Sequence, residues 1–269
     1  MSKIPTKDTQ KGVEELFSKH QLLTVLREQF ESMGNDVDPS IGVEPAMATE
    51  ALVQLYLHRQ ADVTTMVGIL SPKYGTPQEV ADKLLLLCEI DYMDFQESSQ
   101  KFIVKYDVSE DVQEMLDRYQ YPLPMVIKPK PVKDNWDTGY LSIKGSVILN
   151  GSEYFDDKDM CLDHLNRANS VALSLNMDVV YSEEGKYLRP NRNVGESFND
   201  FRKRQKQADV FYATSVDVME TIDSLSDQMF LTHKFDRRGR CYASGYHISS
   251  QGDDYRKAVL QLANKEIIS

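Results

Sequence analysis

Few residues in this 269-residue chain are arranged to do chemistry, and the densest group lies near its C-terminal end. Asp236, Arg238, Gly239 and Arg240 fall in the segment Phe235-Asp236-Arg237-Arg238-Gly239-Arg240-Cys241-Tyr242, a compact basic turn. Glycine at 239 lets the backbone take a positive φ or approach something large. The guanidinium of Arg240 can fork onto phosphate oxygens or ribose hydroxyls. Tyr242 adds a flat ring on which a base or sugar can stack. A basic surface turn without any ligand would use the same residues. A second concentration of cations runs over residues 186–206. There Lys186, Arg189, Arg192, Arg202, Lys203, Arg204 and Lys206 outnumber Glu196 and Asp200 by five.

The patterns of a self-sufficient active site do not occur. The sequence holds no H-E-x-x-H, no G-x-x-x-x-G-K-[ST], no G-x-G-x-x-G and no G-x-S-x-G. His20, His58, His164, His233 and His247 have no metal-ligand spacing and read as surface or helix-end residues. Cys161 and His164 stand three apart in an amphipathic segment without a third ligand. Asp156-Asp157 reads as a helix start and Asp253-Asp254 as a turn. No catalytic or metal-ligating residue is therefore expected in this chain.

Charge sets the class of partner. The formal net charge is −11, which spread evenly would repel nucleic acid. Residues 1–120 carry 11 basic and 21 acidic side chains, whereas residues 121–269 carry 20 and 21. Screening limits the reach of a field to roughly 8 Å at physiological salt, so the local balance decides. The C-terminal half is free to bind a polyanion; solvated helix faces would show the same pattern. Three widely spaced cysteines exclude a disulfide scaffold and point to a reducing cytosol. The longest apolar run, residues 84–88, is far too short to span a membrane, and the N-terminus has no secretory h-region.

The elements that must hold these residues follow from periodicity. Residues 13–30 predict one amphipathic helix, and helices follow at 46–57 and 63–70. Thr76-Pro77-Gln78-Glu79 is a capping-box start for a helix through residue 90. Ser109 caps a helix to Tyr119. Pro122, Pro124, Pro129 and Pro131 then forbid helix, so residues 121–152 predict an extended, partly β connector. Its apolar Met125, Val126, Ile127 and Trp136 are too many for a solvated tether, and Asn150-Gly151 is a hairpin signal. Residues 160–180 and 198–230 predict two long helices around a loop, with the cations at the loop and the start of the second helix. The expected class is mainly α with a small β component (α+β). The expected division is a helical domain over 1–120, a connector over 121–152, a helical hairpin over 153–228 and the start of a sheet domain over 229–269.

Four blocks of the sequence resemble, in the right order, one known family. The segment from His233 to Ala243 is similar to the D-x-x-G-R motif of single-subunit, bacteriophage- and mitochondrial-type RNA polymerases. The stretch from Gln251 to Ala263 resembles the turn and helix after that motif. Pro124 to Pro131 with Gly139-Tyr140 resembles an upstream proline-rich segment, and His164 to Asn176 resembles the helix that opens the thumb. The first 120 residues carry no matching motif, although their place suits the family's helical N-terminal domain. The family's metal-binding Asp, fingers Lys with Tyr-Gly, and His-Asp motifs all follow D-x-x-G-R, and this chain ends 29 residues after Arg240.

The resemblance implies the small subunit of a two-subunit, split phage DNA-directed RNA polymerase, inactive without its partner. A larger partner chain would carry the rest of the palm and fingers and hold Mg²⁺, with nucleoside triphosphates as substrates. Asp236, Arg238, Gly239, Arg240 and Tyr242 would line the cleft on the DNA template and RNA–DNA hybrid, with Lys257 near the growing RNA end. Arg202, Lys203, Arg204 and Lys206 would embrace the hybrid backbone, reading shape and phosphate. A single-stranded-DNA-binding accessory protein is a further candidate partner, and the cytoplasm of an infected bacterial host is the implied setting. The alternative is a non-catalytic nucleic-acid-binding or regulatory protein derived from a truncated polymerase.

Overall fold

The computed structural model describes residues 3–16, 19–149, 160–182, 190–236 and 238–264. Its elements run α1 (Lys7–Leu16), α2 (Lys19–Asn35), α3 (Pro45–His58), β1 (Gln60–Asp62), α4 (Val63–Tyr74), α5 (Pro77–Glu89), β2 (Asp94–Gln96), β3 (Lys101–Ile103) and α6 (Glu110–Tyr119). There follow α7 (Leu162–Asn169), β4 (Leu173–Leu175), α8 (Met177–Val180), α9 (Phe198–Leu225), β5 (His233–Phe235), β6 (Cys241–Ala243), α10 (Asp254–Ala258) and β7 (Leu260–Leu262). Helices dominate and every named strand is three residues long, so the fold is mainly α with a small β component. No helix among the described residues is long and apolar enough to cross a membrane.

The chain forms two units, Lys19–Glu114 and Met1–Ser18 with Met115–Ser269. In the first, α2 to α5 pack around Leu26, Phe30, Met47, Leu52, Met66 and Leu84, all at most 1% exposed. The Thr76 capping box forms as the sequence predicts: the Thr76 hydroxyl accepts from the Glu79 N–H, and the Glu79 carboxylate accepts from the Thr76 N–H. The strands β1, β3 and β2 make a small antiparallel sheet in that order. Periodicity did not find them, because three residues are too few to show alternation.

The second unit is where the sequence reading needs correction. The single helix expected over 13–30 is two helices, and α1 belongs with the C-terminal residues. Its polar Gln10 and Glu14 are buried at 0% and 2% exposure, because both bind the connector's backbone. The Gln10 carboxamide oxygen accepts from the Val126 N–H at 2.8 Å. The Glu14 carboxylate accepts from the N–H groups of Leu141 and Ser142, the Ser142 hydroxyl and the Gln10 amide.

The helix expected over 160–180 is also broken. α7 stops at Asn169, and Leu173–Leu175 leaves the helix to pair antiparallel with Leu260–Leu262, about ninety residues on. Leucines at 173 and 175 suit either period, and the distant partner decides. Asn176 then caps α8 through the Val179 N–H.

Among its described residues the connector is extended without regular strands. Met125 pairs with Phe230 and Ile148 with Phe235 as isolated bridges, which ties it to the approach of β5. Met125 and Val126 are buried, but Trp136 is 56% exposed. The hairpin signal Asn150-Gly151 and the Asp156-Asp157 helix start lie outside the described residues. Asp253, read as a turn, is the N-cap of α10 and accepts from the Arg256 N–H at 2.9 Å.

Candidate nucleic-acid interface

The D-x-x-G-R residues sit on a hairpin that Asp236 ties together. Strands β5 and β6 pair antiparallel, His233 with Ala243 and Phe235 with Cys241. The chain turns between Asp236 and Arg240, where the Asp236 N–H donates to the Arg240 carbonyl at 2.8 Å. Gly239 takes φ +80°, the left-handed region that favours glycine, and its N–H donates back to the Asp236 carbonyl at 2.9 Å. One oxygen of Asp236 accepts from the N–H groups of Arg238 and Arg240, both at 2.9 Å, and the other accepts from Arg240 Nε at 2.7 Å. Partial burial works against ionisation of Asp236. The donated N–H bonds and the Arg240 guanidinium outweigh it and hold the carboxyl below its usual range.

Asp236 is thus consumed inside the turn, and its role is to position the arginines. The Arg238 side chain is 71% exposed and that of Arg240 54%. Arg240 lies over the Tyr242 ring at 5.5 Å, and its Nε bond to Asp236 leaves the rest of the guanidinium beside that ring. The described residues do not enclose the Arg240 side chain. Gln251 braces the hairpin from outside: its amide donates to the Cys241 carbonyl and accepts from the Ala243 N–H. Lys257 on α10 is exposed, with Asp254 at 3.6 Å.

The second group lies on α9, a 28-residue helix about 42 Å long at 1.5 Å per residue. Its fully buried residues begin at Thr214, and its first three turns are exposed or half-buried. Ser197 caps the start by accepting from the Asp200 N–H. Arg202, Lys203 and Lys206 are exposed and have no carboxylate partner among the described residues. Arg202 lies 5.1 Å from the Phe198 ring centroid.

Arg204 departs from the expectation. Its guanidinium forks onto Glu196 at 2.9 and 2.7 Å and donates to the Asn191 carbonyl at 2.7 Å. The fork, with the Asn193 N–H, drives the Glu196 carboxyl down to about 2. Arg204 therefore fastens the preceding loop to the helix and is not free for a phosphate. Lys186, Arg189 and Arg237 lie outside the described residues.

Two histidines read as surface residues are internal. His247 is 4% exposed, donates from Nε2 to the Asp117 carbonyl at 2.7 Å and places Nδ1 3.0 Å from the Ser215 hydroxyl. His233 sits 2.9 Å from Asn169 Oδ1, and burial lowers the pKa of both rings. Among the described residues no three His, Cys, Asp or Glu side chains converge to hold a metal.

Gln10 and Glu14 were missed because a hydrophobic-period reading assigns polar residues to solvent. The available signal was their place on the helix face that carries Val13. No protein-family model matches this chain, and no curated protein matches it.

Proposed function

We propose that this chain is the small subunit of a two-chain, phage-type DNA-directed RNA polymerase, binding template and RNA–DNA hybrid. The observation that carries the reading is the β5–β6 turn: Asp236 spends its acceptors on the loop and presents Arg238 and Arg240 outward beside Tyr242. Such a turn offers two guanidinium groups for phosphate and a ring for stacking. The exposed cations of α9 add shape-blind backbone contacts. In this reading Mg²⁺ and the triphosphate chemistry belong to a partner chain. An infected bacterial cytoplasm is the setting it implies, and a single-stranded-DNA-binding protein is a candidate accessory.

The test is reconstitution with a chain that carries the missing metal-binding motifs. The isolated chain should bind nucleic acid weakly and synthesise nothing, whereas the pair should form a stable heterodimer and make RNA. Arg240→Lys cannot keep both the Nε bond to Asp236 and the planar guanidinium over Tyr242. It should depress synthesis at least tenfold while leaving heterodimer formation and DNA affinity nearly intact. Wild-type synthesis by Arg240→Lys, or Mg²⁺-dependent synthesis by the chain alone, refutes the assignment.

A further inference from the structure

We infer that Tyr121, stacked on Tyr246, is a platform for one unpaired base of a single-stranded nucleic acid, a contact additional to the D-x-x-G-R turn. The inference rests on the nucleic-acid reading above and specifies a ligand for it. Tyr121 and Tyr246 stand 125 residues apart in sequence, yet their rings stack at 4.5 Å with an interplanar angle of 24°. Both are exposed, at 41% and 42%. Large aromatic rings bury most of their surface in a core, so an ordered pair held this open has a face to spare.

The pair is built from behind. Tyr246 meets Phe211 edge-on at 5.0 Å and His247 at 5.1 Å, and His247 is fixed by Asp117 and Ser215. Arg256 covers Phe211 at 4.4 Å. Gly245 makes the arrangement possible. A Cβ there would lie 2.3 Å from the Ile248 carbonyl oxygen, and the Pro122 carbonyl is the next neighbour at 4.0 Å. The tight approach of Gly245 to the Ile248 carbonyl fixes the turn that carries Tyr246. Tyr246 thus has neighbours on both sides, whereas Tyr121 stacks on no other ring among the described residues.

Position and charge select the occupant. Tyr246 follows Tyr242 by four residues, so at most about 14 Å of backbone separates the platform from the hairpin. Phe211, which supports Tyr246, lies eight residues beyond Lys203 on α9, about 12 Å along the helix axis. A strand whose phosphates follow Lys203 and the hairpin arginines has a base within reach of Tyr121. Bases of a duplex are already stacked on each other, so only an unpaired one can use the ring.

The test measures binding of the full chain to a 20-nucleotide strand carrying 2-aminopurine, as DNA and as RNA of the same sequence, and to the matching duplex. Fluorescence quenching reports stacking, and affinity is read across salt. Tyr121→Ala should weaken single-strand binding by about 5- to 150-fold per stacked base and abolish the quenching. Duplex affinity and the salt slope should stay unchanged. Tyr121→Phe should behave as wild type, and Tyr121→Leu, which keeps apolar bulk without the ring, should behave as alanine. The DNA and RNA arms identify which strand uses the ring.

If Tyr121→Ala binds like wild type while Lys203→Ala with Lys206→Ala weakens binding, the platform is refuted and the nucleic-acid reading stands. Equal loss on duplex and single strand also refutes the platform. If the wild-type chain binds no nucleic acid at any salt, both fall. A Tyr121→Ala defect confined to association with a protein partner assigns the rings to that partner and overturns the inference.

Discussion

Replacing Glu14 by Gln tests whether α1 is part of the machinery that holds the connector and, through it, the hairpin. The Glu14 carboxylate is 2% exposed and takes four donors: the N–H groups of Leu141 at 2.8 Å and Ser142 at 2.6 Å, the Ser142 hydroxyl, and the Gln10 amide at 3.0 Å. An amide in its place keeps one acceptor oxygen and turns an NH₂ toward two of those donors. Only the Ser142 hydroxyl can rotate to accept, so one buried donor is orphaned at about 1–3 kcal/mol. The remaining bonds lose their charge assistance, roughly another 1 kcal/mol. The expected loss is about 2–4 kcal/mol, or about 4–16 °C in the melting temperature of a unit this size.

The pH dependence has a definite sign. Desolvation opposes ionisation of Glu14, but the four donated bonds win and the folded carboxyl sits below its ordinary value. A depressed carboxyl stabilises the fold above the unfolded-state pKa of about 4.3, and that contribution is lost as pH falls through the folded value. Wild type and Glu14→Gln should therefore differ most at pH 6–8 and converge in acid. Thermal unfolding of both chains at pH 7 and in steps toward pH 3.5 measures this. Melting temperatures within about 1 °C at pH 7, or a gap that persists unchanged in acid, refute the account of Glu14.

Three further outcomes are expected. Gly245→Ala forces a Cβ against the Ile248 carbonyl and should cost about 1–3 kcal/mol in urea unfolding, with loss of the Tyr121–Tyr246 stack from near-ultraviolet dichroism. Glu196→Ala releases Arg204 and should tighten nucleic-acid binding, steepening the log–log salt dependence by about 0.7–0.9. Arg202→Ala with Lys203→Ala should do the reverse, flattening that slope by about 1.4–1.8 and shortening the products of the reconstituted enzyme.

The sequence alone determined what short-range chemistry determines. Thr76-Pro77-Gln78-Glu79 carries every group a capping box needs within four residues, and the box forms as predicted. Four prolines were enough to forbid helix over the connector, and the long helix expected over 198–230 forms from Phe198, ending at Leu225. The candidate residues at 236–242 were legible too, because their types and spacing are local.

What they do to one another was decided by the fold. Asp236 turned inward because a hairpin placed two N–H groups and a guanidinium around it, and Glu196 claimed Arg204 across eight residues. Tertiary partners overrode period elsewhere. Residues 173–175 left their helix because Leu260–Leu262 offered a strand, and polar Gln10 and Glu14 went inside because the connector offered unpaired N–H groups. Tyr121 and Tyr246 carry no mark of each other in sequence. The turn that carries Tyr246 needs Gly245, since a side chain there would strike the Ile248 carbonyl, and only the fold sets that turn beside Tyr121.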